Sequence, residues 1–365
     1  MSGKTAAAPA TRRREALTDA QLLMSITIGI FVVMYGLAML FMGGGFLKVQ
    51  QIFDLLNDNA ALIIISCGLT IIMIGGGIDI SVGGVIGLTV MACSLLLNRE
   101  GMPAGPLSAL PTLALAMAIG LAFGVLHGAL VSYLEIQPFI VTLAGMFLSR
   151  GLTTILSVNP VKVEHEGFLA LVKTKAEIGF LGYTARNGNL IPARLEIGAI
   201  VALCVVVLTW FGLRHARLGR HIYALGGNRQ SALMLGINVK RTRFLTYLIG
   251  GLLSGLAGFV FLMHKPAGNA NVAMRSEMDA IASSIIGGTL LTGGVGNVIG
   301  TLFGALILAT IQKIIALSPL NESWWQEMAN GAMLGLFILL QSVILSRRGK
   351  SRSKRRAQTQ VKLRE

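Results

Sequence analysis

The feature that most limits what this chain can fold into is a succession of apolar runs without ionisable side chains. Each approaches the roughly 20 residues that a helix needs to cross a hydrocarbon core about 30 Å thick. Leu22 to Met42 is the cleanest run; Asn59 to Ile78 and Ile80 to Asn98 follow, parted only by Asp79. From Gly101 to Leu134 no side chain other than His127 can carry charge near neutral pH, and Pro103 and Pro106 set the helix start near Ala109. Ile136 to Val158, interrupted by Arg150, makes a fifth run, Ile197 to Leu213 a sixth and Phe244 to Met263 a seventh. Ala280 to Gln312 is too long for one crossing and is broken by Gly287, Gly288, Gly293, Gly294 and Gly296, so it divides in two. Met328 to Ser346 completes a predicted set of ten.

Backbone polar groups cannot be left bare in lipid, and barrel strands alternate rather than run apolar for this length, so the runs must be helices. The expected fold class is an all-α polytopic membrane bundle. Composition leads to the same place, because a soluble domain of 365 residues that is 54% hydrophobic and only 13% charged has too much apolar surface to hide.

The formal charge of +15 is explained by where the cations sit. Lys4, Arg12, Arg13 and Arg14 precede the first run, and nine Lys and Arg follow the last. Arg214, Arg217, Arg220, Arg229, Lys240, Arg241 and Arg243 lie between the sixth and seventh. Ten crossings place all three groups on one face, which the positive-inside rule makes the cytoplasm, so the partner of this charge is membrane lipid and no nucleic acid is called for. The expected layout is a flexible basic cytoplasmic end at 1–20, a transmembrane domain at 21–346 and a basic cytoplasmic tail at 347–365. An outer loop spans 159–196 and an inner loop 214–243. The first run is too long for a signal-peptide core and lacks a small-residue cleavage site, so it is expected to be retained. Cys67, Cys93 and Cys204 fall inside runs and read as small apolar side chains.

Glycines recur at four-residue spacing in several runs: Gly83 with Gly87; Gly120, Gly124 and Gly128; Gly251 with Gly255; Gly296, Gly300 and Gly304. Such spacing lets helix backbones approach closely where lipid offers no hydrophobic drive to associate.

Motifs of enzyme chemistry are missing. There is no HExxH and no GxSxG, and Gly349-Lys350-Ser351 lacks the earlier glycine of a phosphate loop. His127, His165, His215, His221 and His264 are spread over different segments, which argues against a shared metal site. If the chain moves a solute uphill with ATP, another polypeptide must bind the nucleotide and its Mg, and no cofactor is expected here.

Three places could carry function. Gly75-Gly76-Gly77-Ile78-Asp79-Ile80-Ser81-Val82-Gly83 permits irregular backbone near the membrane, where Asp79 is a functional acid or, alternatively, a cap or cytoplasmic turn residue. Arg150, following Thr142 and Ser149, would pair with Asp79 or Asp279 or donate to a sugar hydroxyl, or else snorkel to the outer interface. Asp279 and Ser283 share one helical face, and Asp279 equally suits a helix N-terminal acid. The inner segment reads as a glycine turn, Tyr223 to Asn228, then a short amphipathic helix from Ser231 to Leu235 and Gly236-Ile237-Asn238. Being cationic, it suits a cytoplasmic partner or a plain inside loop.

With these residues on view, the sequence from about Leu22 to Gln341 resembles the permease subunits of bacterial sugar ABC importers of the ribose, xylose and galactose type. GGIDISVG (76–83), FIVTLAGMFLSRGL (139–152), YALGGN with LGIN (223–228, 235–238) and MDAIASSIIGGTLLTGGVGNVIGT (278–301) carry the resemblance. LLNDNAALIIISCGLT (55–70), VTLAGMF (141–147) and SWW (323–325) look most like the galactofuranose permeases within that group. The resemblance implies a pair of permease subunits, identical or related, with cytoplasmic ATP-binding subunits inside and a periplasmic sugar-binding protein outside. On it, the pathway is expected to draw on Asn57, Asn59, Asp79, Ser81, Thr142, Arg150, Asp279 and Ser283. Coupling to the ATPase is expected from Arg220, Tyr223, Gly226, Gly227, Asn228, Ser231, Leu235 and Gly236. The rival readings are an ion- or proton-coupled secondary carrier, which would need carboxylate relays, and a membrane-bound enzyme, for which no constellation is present.

Overall fold

The computed structural model describes residues 10–42, 46–184, 190–318 and 324–339. In chain order the helices are α1 (Ala10–Met42), α2 (Gln50–Asp58), α3 (Ala60–Ile74), α4 (Val82–Leu97), α5 (Ala109–Ser132), α6 (Pro138–Leu156) and α7 (Glu166–Lys173). They continue with α8 (Ile197–His215), α9 (Arg217–Gly227), α10 (Arg229–Met234), α11 (Val239–His264), α12 (Ser276–Ile286), α13 (Val298–Leu317) and α14 (324–339). Two small antiparallel sheets decorate the bundle: β1 (Val161–Lys162) with β4 (Ala267–Gly268), and β2 (Lys175–Thr184) with β3 (Leu190–Glu196).

Each predicted apolar run contains a helix, but the helices are not equal in length. Among the described residues six are long and apolar enough to cross a membrane, and a seventh crossing is made if α2 and α3, bent by 61° at Asn59, count as one. The α4 helix has 16 residues and α12 only 11, both short of a full hydrocarbon crossing. The expected division of 280–312 is therefore present, though unevenly, as a half-length helix and a full one.

Burial sorts the helices into two layers. Every residue of α3 except Ala61 and Leu62 is buried, as is most of α4, the mark of helices surrounded by protein on all sides. The outer helices instead expose large apolar side chains, Val33, Leu40 and Phe41 on α1, Phe147 and Ile155 on α6, Val207 and Phe211 on α8. In lipid that exposure carries no penalty. Close packing follows the small-residue rows: a Cβ on Gly120 of α5 would lie 2.8 Å from the Gly255 nitrogen of α11, and Gly300 and Gly304 of α13 press on Gly287 and Ser283 of the α12 segment.

Two central helices are interrupted, and the interruptions touch. After α3 the chain leaves the helix at Gly75, passes Gly76 at φ +79°, and resumes as α4 at Val82. After α12 it runs without helix from Gly287 to Asn297, with Gly288, Gly293 and Gly294 at φ +92°, +83° and +76°, values open to glycine at little cost. The Gly294 N–H donates to the Ile74 carbonyl at 2.8 Å, joining the two breaks directly. Just beneath, the Thr70 hydroxyl lies 2.7 Å from that of Thr301 and donates to Ser284 Oγ at 3.0 Å. Were these breaks to lie at membrane depth, enclosure by protein of this kind is what irregular backbone there requires.

Three local expectations change. Helix α1 begins at Ala10, so residues 10–20 are helical rather than an irregular end, as their run of Ala, Arg, Glu and Leu favours. The glycine pair at 226–227 is not a turn but the last turn of α9, and the break comes one residue later at Asn228. The inner helix expected from Ser231 starts at Arg229, because the Asn228 side chain accepts from the Ser231 N–H at 2.9 Å and caps it. The outer segment 159–196 has structure of its own in β1, α7 and the β2–β3 pair. Lys4 and the tail from Arg347 lie outside the described residues.

Candidate functional site

The polar side chains of the bundle converge on the first turns of α4. Asp79 is 2% exposed, and its Oδ1 accepts from the Ser81 N–H at 2.8 Å and the Ser81 hydroxyl at 2.6 Å. His127 of α5 approaches from the other side, its Nδ1 3.9 Å from Asp79 Oδ2 and 3.4 Å from Ser81 Oγ. Asp79 thus makes the local turn that opens α4, and it does so buried within the protein. The Tyr247 hydroxyl of α11 donates to the Ile78 carbonyl at 3.3 Å and holds the same loop from a third helix.

Gly83 and Gly87 do not pack against another helix backbone, as their spacing suggested. A Cβ on Gly83 would collide with Glu277 Oε2, one on Gly84 with the Ser149 hydroxyl, and one on Gly87 would lie 3.0 Å from an Arg150 Nη1. The glycine face of α4 is a slot for polar side chains. Gly145 of α6 does the same for the His127 ring.

Arg150 reaches through that slot to backbone. It donates from Nη1 to the Val272 carbonyl at 2.6 Å and from Nη2 to the Ala273 carbonyl at 3.0 Å, with Ala270 at 3.5 Å. Its bonding partners are these carbonyls of the strap between α11 and α12, and neither Asp79 nor Asp279 is among them. The strap holds Ala273 at φ +54° and Arg275 at φ +68°, a conformation costing non-glycine residues about 1–3 kcal/mol each, and Arg150 ties it down. Glu277 is 8% exposed, and its Oε2 has no hydrogen-bond partner among the described residues.

The other expected pathway residues lie apart. Asp279 is in the first turn of α12, where its Oδ1 accepts from Asn330 Nδ2 of α14 at 3.0 Å, while Arg275 pairs with Glu327 of the same helix. Ser283 donates back to the Asp279 carbonyl at 2.7 Å, and Thr142 back to that of Pro138 at 3.0 Å. Asn57 joins α2 to β3 by donating to the Arg194 carbonyl at 3.2 Å and accepting from the Glu196 N–H at 2.9 Å; Asn59 donates to the Leu55 carbonyl. Sequence reasoning passed over His127 and Glu277. The signal for His127 was available, since no other side chain in the run from Gly101 to Leu134 can carry charge near neutral pH. Glu277 was hidden by its neighbour Asp279, two residues on.

The inner segment forms a second candidate surface. Helix α9 is amphipathic: Ile222 and Leu225 are buried, while Arg217 and Arg220 are exposed and Arg220 donates to the His215 carbonyl. Tyr223 donates to the Gly296 carbonyl at 2.8 Å. A Cβ on Gly226 would collide with the Ile74 carbonyl, whereas one on Gly227 would meet open space. Helix α10 then turns outward and leaves Leu233, Met234 and Leu235 at 54%, 87% and 74% exposure before Gly236 reverses the chain at φ +75°. Around this knob Arg229 and Lys240 both face Glu135, at 3.0 and 3.9 Å.

Comparison with known proteins adds the following. The model of the family described as branched-chain amino acid transport system / permease component matches residues 51–340. The inner membrane ABC transporter permease protein YjfF of Escherichia coli is 39% identical over 318 residues, covering 87% of this chain and 91% of that protein. The fructose import permease protein FruG of Bifidobacterium longum is 33% identical over 329 residues, covering 89% and 91%. The ribose import permease protein RbsC of Escherichia coli is 33% identical over 298 residues, covering 81% and 87%.

Proposed function

The chain belongs to the branched-chain amino acid transport system / permease component family, among its sugar ABC permeases, and on that premise we propose that it is the membrane-spanning subunit of an ATP-driven monosaccharide importer of the inner membrane. Two such subunits, identical or related, enclose the pathway. ATP hydrolysis belongs to separate cytoplasmic subunits, and a periplasmic binding protein delivers the sugar. We read α4, α12 and α14 as further, shorter crossings beside the longer helices, ten in all, and the positive-inside rule then argues for both ends of the chain and the 214–243 segment on the cytoplasmic side.

The observation that carries this reading is the apolar knob of α10. Leu233, Met234 and Leu235 stand exposed beside Arg229 and Lys240, on a segment too cationic to lie in hydrocarbon. An exposed apolar group ringed by polar residues marks a contact with another protein. In this setting that protein is the ATPase. Nucleotide-driven closure of the ATPase pair moves the segment, and the membrane helices alternate between outward-open and inward-open states.

The polar cluster around α4 serves the moving parts rather than the cargo in this conformation. Asp79 and Ser81 are buried within one chain and brace the backbone that opens α4, while Thr142 and Ser283, also buried, bond carbonyls of their own helices. A pathway that gripped its cargo would slow release, which leaves specificity chiefly to the binding protein. Relatives named for fructose and ribose fit such a division of labour, and the substrate here is a furanose or pyranose monosaccharide, with galactofuranose the specific candidate. The test is uptake by proteoliposomes containing the chain, its ATPase and its binding protein, with labelled ribose, xylose, fructose and galactofuranose. Accumulation of one sugar that requires ATP supports the reading. Accumulation driven by an ion gradient without the ATPase would make the chain a secondary carrier instead.

A further inference from the structure

The end of α9 does not merely rest on the bundle; it is inserted where the two interrupted helices meet. Three backbone segments converge there with no side chain between them. Gly293, in the break after α12, would place a Cβ 2.9 Å from the Gly76 Cα and 3.1 Å from the Gly226 Cα. Gly294 would place one 2.7 Å from the Gly227 Cα. Gly226 itself faces the Ile74 carbonyl that accepts the Gly294 N–H at 2.8 Å, and the Tyr223 hydroxyl bonds the Gly296 carbonyl at 2.8 Å. One turn of α9 thus bears on the break after α3 and the break after α12 at once, by contact and by hydrogen bond.

Resting on the function proposed above, we infer that Tyr223 and Gly226 are positioning residues through which α9 drives both interrupted helices, so that nucleotide-induced motion reaches the breaks at 75–81 and 287–297 directly. The long helices α8 and α11, which flank the inner segment, need not bend to relay it. A contact without side chains has no rotamers to absorb a displacement, so a shift of α9 becomes a shift of the loops. Those loops have the freedom to respond, since Gly76, Gly288, Gly293 and Gly294 all occupy positive φ. The loops in turn hold Asp79 and the start of α4 on one side and the start of α13 on the other.

The experiment uses the full complex with its ATPase, and reads amide hydrogen exchange at 287–297 and at 229–238 with and without ATP. Wild type should show an ATP-dependent change in both segments. Tyr223→Phe, which keeps the ring and removes the hydroxyl, and Gly226→Ala should keep the change at 229–238 while the change at 287–297 falls about fivefold, the ratio that one lost hydrogen bond yields. Both should also hydrolyse more ATP per sugar imported. Gly212→Ala at the end of α8, where a Cβ meets open space, controls for glycine replacement and should behave as wild type. If Gly226→Ala does not insert, Tyr223→Phe decides. A loop response unchanged from wild type in the variants, or a wild-type response confined to 229–238, overturns the inference. Absence of ATP-dependent uptake by the wild type would instead sink the function on which it rests.

Discussion

Arg150 brings a guanidinium with five donors into the interior of a membrane bundle, and its cost is met by backbone rather than by a carboxylate at bonding distance. The carbonyls of Val272 and Ala273 accept from it at 2.6 and 3.0 Å, and the planar fork suits two neighbouring oxygens as an ammonium does not. Replacing it with Ala leaves those carbonyls without their donor and the positive-φ residues Ala273 and Arg275 untied. Arg150→Ala should therefore lower stability in detergent by about 3 kcal/mol, the scale of hydrogen bonds to a charged group, and Arg150→Lys by roughly half as much. Thermal unfolding of the purified chain checks the order; equal melting temperatures for Arg150→Ala and wild type would contradict it. The sequence made Arg150 stand out as a cation inside an apolar run, but not its partners. Those are carbonyls of a strap more than a hundred residues away, which carry no residue-type signature. The glycines of α4 misled for a related reason: a glycine row records that something comes close, and Glu277, Ser149 and Arg150 come close as side chains where Gly251 and Gly255 do so as backbone.

At the scale of elements, legibility followed length. The long apolar runs appeared as helices because twenty uncharged residues leave the backbone no other way to satisfy itself. The breaks were visible as glycine clusters, but their mutual contact depends on packing between distant segments. The inner segment was legible as cationic and only partly as structure, since Tyr223 to Gly227 carries glycines that read as a turn and instead ends a helix. What α9 and α10 do separately follows from their surfaces: α9 buries Ile222 and Leu225 against the bundle, and α10 offers Leu233 and Met234 outward. A docking role for α10 predicts that Leu233→Ser with Met234→Ser removes apolar contact area from the partner without touching the core. Co-purification of the ATPase should fall at least about tenfold, since losing two buried apolar side chains is worth about 1.5–3 kcal/mol apiece, while insertion and melting temperature of the isolated chain stay as in wild type. Retention of the ATPase at wild-type levels would move the docking surface elsewhere on the segment.

The molecule as a whole has ends of different character, and the end away from α9 carries an ionic clasp. His264, at the close of α11, lies 2.8 Å from the Glu196 carboxylate at the entry to α8 and 3.7 Å from Asp58 at the close of α2. Lys175 of β2 reaches Glu196 at 2.9 Å, and Lys313 of α13 reaches Asp58 at 3.7 Å. Five elements are thereby joined at the end of the bundle opposite the one where α9 engages the breaks. Partial burial pushes the Glu196 carboxyl up, but hydrogen bonds and charge from His264 and Lys175 outweigh it and hold the pKa below its ordinary value of 4.5. A depressed pKa means that the folded state binds the Glu196 proton less readily than the unfolded chain does. Its stabilisation is then fully present above about pH 4.5 and is lost as the pH falls through the lower folded value. With both partners partly exposed, the contribution is about 1 kcal/mol. Glu196→Gln should accordingly melt a few degrees below wild type at pH 7, and the gap should close on acidification below pH 4.5. A gap that stayed constant down to pH 3 would show that Glu196 acts by packing alone. Because exposed ion pairs are screened, raising the salt concentration to 1 M at pH 7 should narrow the same gap without acid, which separates the clasp from the salt-indifferent hydrogen bonds that Asn57 makes to β3 beside it.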